Sequence, residues 1–273
     1  MNIIVCIKPV PDPDKYDLLT IDPETKRLVR EGIPTIVNPS DRNALEAALK
    51  LKEQFGGKVT ILSMTPAFSA DRLKLCLAMG ADDAIILSDR EFGGADTLAT
   101  SYTLMKAIES KQLKYDLILA GNESADGATS HVPTQLAEWL GVAHITNVRI
   151  NAATEKDITV EKKTETGRIE YKIEYPAVLA IEKGSNEPRY ISAMGIEALD
   201  EKNMEILDAS CIDTVPEMIG LKGSPTQPGE LFVQEVKRES KEIKGNNDEI
   251  ADQIIALIKK EGISQFAQAG GEK

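Results

Sequence analysis

The sequence is poor in the residues that build disulfide frameworks, metal centres and catalytic triads. Among its 273 residues are three cysteines, two histidines and one tryptophan. Cys6, Cys76 and Cys211 are widely spaced and odd in number, which argues against a disulfide framework and a zinc site. That usage is typical of a reducing compartment, so we expect a cytoplasmic protein. With so few histidines, we predict no metal site and no nucleophile–base set.

Long apolar runs and an excess of positive charge are also missing. No stretch of about 18 apolar residues is present, which predicts no membrane insertion. The start of the chain lacks the basic region of a signal peptide. Thirty-two basic residues against 44 acidic ones give a net charge of −12. Such a chain repels phosphate polymers, so we do not expect it to bind nucleic acid.

As far as Gly141, short apolar runs alternate with stretches of helical periodicity. This alternation predicts βαβ units around a parallel sheet. Strands are predicted at 2–7, 58–64, 84–87 and 116–120. Four helices are predicted. The first begins at a cap at Ser40 or Asp41 and ends at the glycines at 56–57, and the second spans 69–79. The third begins at a cap at Asp96, and the fourth spans 132–140.

The pattern changes after Gly141. Residues 157–163 and 168–173 alternate apolar and polar side chains, which predicts a hairpin, and an amphipathic helix is predicted at 247–260. The fold class is therefore α/β: a Rossmann-like parallel sheet nucleotide-binding domain with a rim hairpin and an extended C-terminal arm. We divide it into a domain at 1–220 and an arm at 221–273, whose helix either folds back or lies on a partner subunit.

The most informative motif follows the predicted strand at 116–120. It begins with Gly121 and leads into the helix at 132–140. Glycine lets the backbone approach a ligand closely. The hydroxyls of Ser124, Thr129 and Ser130, with the free N–H groups of a helix start, can hold a phosphate. The alternative is an ordinary polar loop between a strand and a helix.

A second candidate motif runs from Asp89 to Thr100. Its two glycines precede a helix start capped by Asp96, where a phosphate or a flavin edge can sit; the alternative is a capping turn. Lys8, after the first strand, either faces an anion or lies on the surface. Loops that follow parallel strands meet at one edge of the sheet, where open α/β sheets bind ligands.

None of these residues forms a nucleophile–base set. Cys6 lies inside an apolar strand and is better explained as a core residue than as a nucleophile. If the protein carries out redox chemistry, a bound cofactor must therefore supply it.

Six segments together resemble the small (beta) subunit of electron-transfer flavoproteins, over most of the chain. They are Val5-Cys-Ile-Lys-Pro-Val-Pro-Asp12, Asn38-Pro-Ser-Asp-Arg-Asn-Ala-Leu-Glu46, Leu77-Ala-Met-Gly-Ala-Asp82, the Gly121 loop, Asn186-Glu-Pro-Arg-Tyr190 and Ser224-Pro-Thr-Gln227. The resemblance implies a nucleotide-binding α/β domain with a C-terminal arm that embraces the larger alpha subunit.

The resemblance also bears on the cofactor. Ordinary members hold AMP in this subunit as a structural ligand, whereas electron-bifurcating members hold a second FAD, beside which NADH docks. The segment at 89–100 and the Asp126-Gly127 pair resemble the bifurcating type, in which a glycine leaves space for a flavin. We therefore favour FAD, with AMP as the alternative.

The contacts that the resemblance implies can be assigned by position. Asp96 and Thr97 are expected beside the flavin and the docked nicotinamide. The nucleotide contacts are expected at Cys6 (through its backbone), Asn38, Pro39, Ser40, Asp41, Met64, Gly121, Asn122, Glu123, Ser124, Ala125, Asp126, Gly127, Ala128, Thr129, Ser130, His131 and Val132.

The implied role is that of an electron-carrier subunit in an NADH-oxidising complex. Hydride passes from NADH to the beta-subunit FAD. One electron then goes to the alpha-subunit FAD and a flavin dehydrogenase, and the other to ferredoxin or flavodoxin. Two alternatives stay open: a structural AMP-binding subunit with all redox chemistry in the alpha subunit, and a small-nucleotide sensor like the universal stress proteins, against which the long arm counts.

The chain departs from the family pattern at three places. Asn122 and Glu123 replace a basic residue and a glutamine. His131 and Pro133 replace a glutamine and a glycine, and His131 either donates to a phosphate or flavin carbonyl or simply begins the helix.

The third departure concerns the dehydrogenase. Ala193 and Met194 stand where the family has a leucine anchor. The acidic residues Glu197, Asp200 and Glu201 follow where the family has lysines. An acidic loop prefers a different docking surface. The partner is therefore an acyl-CoA dehydrogenase type or a different flavin enzyme, such as one acting on a 2-hydroxy acid like lactate.

Overall fold

The structure is a computed structural model that describes residues 1–18, 20–21, 28–29, 33–227, 229, 240 and 242–260. The chain divides into two compact units, Met1–Leu231 and Phe232–Lys273. The division at 220 that the sequence suggests stays a prediction.

The first unit contains strands and helices in alternation. Its strands are β1 (Asn2–Cys6), β2 (Pro9–Pro11), β3 (Thr20–Ile21), β4 (Leu28–Val29), β5 (Thr35–Val37), β6 (Lys58–Met64), β7 (Asp83–Leu87), β8 (Leu117–Gly121), β9 (Ala143–Ala153), β10 (Asp157–Lys163), β11 (Arg168–Glu174), β12 (Ala177–Ile181) and β13 (Asn203–Leu207). Its helices are α1 (Pro39–Phe55), α2 (Ala70–Met79), α3 (Thr97–Ser110), α4 (Val132–Leu140) and α5 (Ala193–Glu197).

Among the described residues, nine strands form one sheet in the order β11-β10-β9-β12-β8-β1-β6-β7-β13. From β9 to β13 every neighbouring pair is parallel, and only the pairs β9–β10 and β10–β11 are antiparallel. The chain proceeds from β1 through β6 to β7 and then returns to place β8 on the other side of β1. The order of the sheet therefore reverses between β1 and β8.

Helices cover both faces of the central sheet. Leu45 of α1 and Leu73 of α2 belong to the core on one face, and Met105 of α3 and Leu136 of α4 belong to the core on the other. Strands β8 and β12 are buried at every residue, because strands covered on both sides are apolar throughout. The α/β class with a parallel sheet is confirmed.

Several local predictions are confirmed and one is wrong. The hairpin is formed by β10 and β11, and Asp96 caps α3 through its side chain. Ser40 and Asp41 do not cap α1. Asn38 is its N-cap residue, and no side chain makes the capping hydrogen bond. Pro39 takes the first helical position, where its missing N–H costs nothing, so the helix begins before the predicted caps.

The second unit is described at 240 and 242–260. It contains α6 (Asn247–Lys260), which matches the predicted helix. Asp248 and Glu249 lie in its first turn and Lys259 and Lys260 in its last, a distribution that suits the helix dipole. Ile254, Ile255 and Ile258 are exposed on it. Within the described ranges, no helix is both long and apolar enough to span a bilayer.

Leu119 tests the importance of the central strands. Its side chain is fully buried in β8. We expect Leu119→Ala to lower the free energy of unfolding by about 2–5 kcal/mol, because a buried cavity adds to the lost transfer energy. Ile206→Ala, on the exposed side of β13, should change it by only about 0.5 kcal/mol. Urea denaturation measures both, and equal effects would contradict this picture of the core.

Candidate functional site

The reversal of strand order between β1 and β8 defines the place where an open α/β sheet binds its ligand. Such ligands lie beyond the carboxyl ends of the strands, where the connections diverge to opposite faces. Lys8 follows β1 there, and the loop that starts at Gly121 follows β8. We call Lys8, the turn at 38–41 and the loop at 121–132 the switch-point site.

The first turn of α1 holds the loop after β8 in place. The Asn38 side-chain amide donates to the Glu123 carbonyl at 2.9 Å and accepts from the Ala125 N–H at 3.1 Å. The Ser40 hydroxyl donates to the same Glu123 carbonyl at 2.6 Å. Asn38 and Ser40 are buried. Their predicted nucleotide contacts remain predictions, since in the structure these side chains bind the loop itself.

Asp41 joins the ends of the two central strands. Its carboxylate accepts from the Lys8 N–H at 2.7 Å, the Asn38 side chain at 2.9 Å and the Gly121 N–H at 3.1 Å. Only 5% of the residue is exposed. Burial raises the pKa of Asp41 to about 7, although these hydrogen bonds and the Lys8 charge act to lower it.

This pKa has a consequence for stability. The value in the folded chain lies above the ordinary value of 3.8, so protonated Asp41 is the form that the fold favours. The resulting stabilisation is fully present below about pH 4 and is lost as the pH rises through about 7.

Gly121 is required by the closeness of the strand end to the α1 turn. A Cβ atom at this position would overlap the Asp41 carboxylate and the Ser40 hydroxyl and would lie 2.7 Å from the Ser40 carbonyl carbon. The glycine therefore allows contact between backbones. It does not leave room for a ligand at this point.

An ion pair spans the switch point. The Lys8 Nζ atom lies 2.6 Å from Asp126 Oδ1, and it also lies 3.5 Å from the Ser124 hydroxyl. Burial alone raises the pKa of Asp126, but the hydrogen bond and charge of Lys8 outweigh it and hold that pKa below its ordinary value. Lys8 is half exposed, so its ammonium can also meet an anion.

The middle of the loop has an unusual backbone. Ala128 and Ser130 have φ angles of 48° and 56°, in the left-handed region that residues other than glycine rarely adopt. The Ala128 N–H donates to the Ser124 carbonyl at 2.8 Å, which closes a turn before α4. Backbone strain of this kind concentrates at ligand clamps, which supports the choice of this loop as a site.

The two candidate helix starts differ. At α3, Asp96 accepts from the Leu98 and Ala99 N–H groups, so a carboxylate occupies the place of an anion. At α4, no side chain makes the capping hydrogen bond. His131 precedes α4, and its Nδ1 atom contacts the Thr129 carbonyl. The start of α4 is therefore the one that no side chain caps, although Pro133 in its first turn has no N–H to donate.

Asp96 and Thr97 lie apart from the other predicted residues in the order of the sheet. They follow β7, which is separated from β1 by β6. Met64 ends β6, next to β1, and is partly buried. The structure thus brings Cys6, residues 38–41 and residues 121–132 together around β1 and β8, and it places Asp96 and Thr97 further along the same edge.

Sequence reasoning missed the contacts that anchor Asp96. The Ser224 hydroxyl accepts from the Asp96 N–H at 2.8 Å, and the Thr226 N–H donates to its carboxylate at 2.9 Å. In the sequence, these contacts were indicated only by the motif at 224–227, as part of the family resemblance. Its partner, 130 residues earlier, has no local signature.

A second missed network fixes the segment after β12. The Arg189 guanidinium binds Glu46 at 2.8 Å and 3.1 Å and Glu53 at 2.5 Å, both on α1. Asn43 exchanges hydrogen bonds with Asn186. These contacts support residues 190–197, which we call the docking segment.

The docking segment exposes apolar side chains. Tyr190 is 96% exposed and Met194 is 79% exposed. Exposed apolar groups on a fixed backbone are typical of an interaction surface. In the described part of the chain, no cluster of three or more histidine, cysteine or acidic side chains is arranged to hold a metal ion.

Two glycines of the loop allow a matched test of the packing at 121. We expect Gly121→Ala to lower the free energy of unfolding by about 1–3 kcal/mol, since the new methyl group overlaps Asp41 and Ser40. At Gly127, a Cβ would meet only the Ser124 hydroxyl, at 3.2 Å. Gly127→Ala should therefore change stability by about 0.5 kcal/mol or less. Thermal and urea unfolding give both values, and a larger loss for Gly127→Ala would refute the assignment.

Comparison with known proteins agrees with the resemblance in the sequence. The family model for the electron transfer flavoprotein domain matches residues 25–210. The chain is 41% identical over 261 residues to the electron transfer flavoprotein subunit beta of Clostridium acetobutylicum, covering 96% of this chain and 99% of that protein.

Two further relatives carry other names. CarD, a subunit of the caffeyl-CoA reductase-Etf complex of Acetobacterium woodii, is 40% identical over 265 residues, with 96% of this chain and 100% of CarD covered. Protein FixA of Azotobacter vinelandii is 38% identical over 255 residues, with coverage of 91% and 89%. The chain therefore belongs to the electron transfer flavoprotein family, as a beta subunit that functions in electron transfer.

Proposed function

We propose that this chain is the beta subunit of an electron-bifurcating electron transfer flavoprotein and that it holds FAD at the switch-point site. The observation that carries the proposal is that Lys8, after β1, binds the loop after β8 at the point where the strand order reverses, and that this loop leads into the uncapped start of α4. A cation and free N–H groups there suit a pyrophosphate. When bound, FAD supplies the chemistry that accepts hydride from NADH and separates its two electrons, one for the alpha-subunit FAD and its dehydrogenase and the other for ferredoxin or flavodoxin.

The residues of the site fit this group. Lys8 would hold the phosphates as a point charge, while the turn at 38–41 fixes the loop that surrounds them. A side chain at Gly127 would project into space that only the Ser124 hydroxyl borders within 4 Å, so the glycine keeps room for a ring system beside the loop. Thr97, partly exposed at the start of α3, would lie on the nicotinamide side.

AMP is the alternative ligand, with all redox chemistry in the alpha subunit. The same Lys8 and α4 start would then hold a single phosphate. The name of the CarD relative, a subunit of a reductase-Etf complex, and the open side of Gly127 favour FAD. In both cases the partner is an electron transfer flavoprotein alpha subunit. The exposed isoleucines of α6 are the surface that we assign to it.

The docking segment is the surface that we assign to the dehydrogenase. Its exposed Tyr190 and Met194 supply an apolar anchor, and the acidic residues Glu197, Asp200 and Glu201 follow it. Aromatic and methionine side chains are enriched at the centres of interfaces, and charged side chains at their rims set specificity. We therefore expect a flavin dehydrogenase with a basic rim, of the acyl-CoA or 2-hydroxy-acid (lactate) type.

The nucleotide content of the purified complex tests the proposal directly. We expect two FAD and no AMP per heterodimer, separated by chromatography after denaturation. One FAD with one AMP would refute the flavin site in this chain and would support a structural role.

Variants of the ion pair test the phosphate contact. We expect Lys8→Met to weaken nucleotide binding at this site roughly 10- to 100-fold, because a hydrogen bond to a charged group contributes about 1.5–3 kcal/mol. Asp126→Asn should not weaken binding, since it frees Lys8 from its present partner. Lys50→Met, on the exposed side of α1, is the control. Equal losses for the Lys8 and Asp126 variants, measured by titration calorimetry, would mean that Lys8 only holds the loop.

The docking segment has its own test. Met194→Glu should slow electron transfer to the dehydrogenase roughly tenfold or more, because a charge would enter the apolar centre of the contact. Flavin content should be unchanged. Ile206→Glu, at another exposed apolar position, is the matched control. A normal rate for Met194→Glu in stopped-flow measurements would exclude the segment as the anchor.

A further inference from the structure

Asp41 is the buried carboxyl group that connects the switch-point site to the interior of the fold. Its carboxylate receives the Lys8 N–H at 2.7 Å and the Gly121 N–H at 3.1 Å, from the chain ends that follow β1 and complete β8. It does not reach the surface. Any change of charge among the exposed groups of the site is therefore felt by a carboxylate that water does not screen.

The groups that face Asp41 differ in charge. Burial raises the pKa values of the Cys6 thiol on β1 and the Cys76 thiol on α2 to about 12, with the Asp41 charge as a further cause, so both are neutral at physiological pH. The nearby cation that lowers the pKa of Asp41 is Lys8. Other charged groups around this turn include Arg42, next to it on α1, Asp126, which shares Lys8, and Glu123, whose carbonyl accepts from Asn38 and Ser40.

We propose that binding of the nucleotide's phosphates is linked to uptake of one proton from solvent by Asp41. The phosphates draw the Lys8 ammonium towards themselves and add negative charge beside the site. Both changes disfavour the ionised carboxylate, so they act in the same direction. This inference rests on the proposed nucleotide site, and it makes Asp41 a positioning residue whose charge depends on whether that site is filled.

The direction of the pH dependence follows from linkage. Without nucleotide, Asp41 titrates at about pH 7, and with nucleotide its pKa lies higher. Protons are therefore taken up on binding at pH values near and above 7. The affinity falls as the pH rises through this range, by at most about tenfold per pH unit for a single proton.

The test is titration calorimetry of the complex with its alpha subunit, after the nucleotide of the beta site has been removed. FAD and AMP are titrated near pH 7.5 in two buffers of different ionisation enthalpy, which yields the number of protons taken up. Asp41→Asn cannot take up this proton. About three-quarters of the Asp41 side chains are ionised near pH 7.5 when the pKa is about 7, so the wild type should take up more protons than the variant, by up to about three-quarters of a proton. The difference cancels any proton that the nucleotide itself exchanges. Asp71→Asn, at an exposed pair on α2, should match the wild type.

A second variant guards against misfolding of Asp41→Asn. In Lys8→Met a cation that lowers the pKa of Asp41 is absent, so a larger fraction of Asp41 is protonated before binding. Proton uptake at pH 7.5 should fall and reappear at higher pH. Suppose that a nucleotide binds, that the wild type takes up no more protons than Asp41→Asn, and that Lys8→Met takes up as many as the wild type. The linkage to Asp41 is then wrong, whereas the nucleotide site is correct. If neither nucleotide binds to the wild type, the site itself is wrong and the linkage fails with it.

Discussion

One carboxylate with three N–H donors sets the spacing on which the site depends. Asp41 lies in the first turn of α1, yet its oxygens bind the chain after β1 and the end of β8. These two strands are adjacent, but their connections leave for opposite faces of the sheet. Hydrogen bonds are strong in the low-dielectric interior of a protein, so these contacts fix two diverging loops to one helix. Asn38 and Ser40 then extend the same anchorage along the loop to Glu123 and Ala125.

The charge arrangement around this carboxylate bears on the proposal that an acidic chain holds a phosphate here. The net charge of −12 opposes an anionic ligand, and Asp126 lies within the loop itself. Lys8 offsets Asp126 at 2.6 Å while remaining half exposed. Glu123 and Asp41 are further acidic groups of the site, so Lys8 and the uncapped start of α4 are the features that would attract an anion there. In the proposed function, selectivity for a phosphate would therefore come from local geometry and not from the field of the whole protein.

The sequence predicts the parts of the structure whose signals are local. The buried strands β1, β6, β7 and β8 are continuous apolar runs, and Asp96 is identified as a cap by its position before an apolar helix. By contrast, β9 and β13 alternate or mix polar residues because they are half exposed, and neither was predicted.

The same limit applies to the candidate site. Residue types and glycines indicate the loop at 121–132, but the partners of Asn38 and Ser40 lie 83–87 residues away. No periodicity encodes such pairs. A local rule placed the α1 cap at Ser40 or Asp41. It failed because these side chains serve the distant loop, a tertiary demand that overrides capping preference.

The anchorage of Asp96 has a consequence for the order in which parts of this protein fold during synthesis. Its N–H and its carboxylate bind Ser224 and Thr226, 128 and 130 residues later in the chain. Contacts of such long separation form late, since the entropy of closing the loop must be overcome first. On the ribosome, the loop before α3 therefore cannot form these contacts until nearly the whole first unit has emerged. The loop before α3 is therefore completed only at the end of synthesis, after the sheet beneath it already exists.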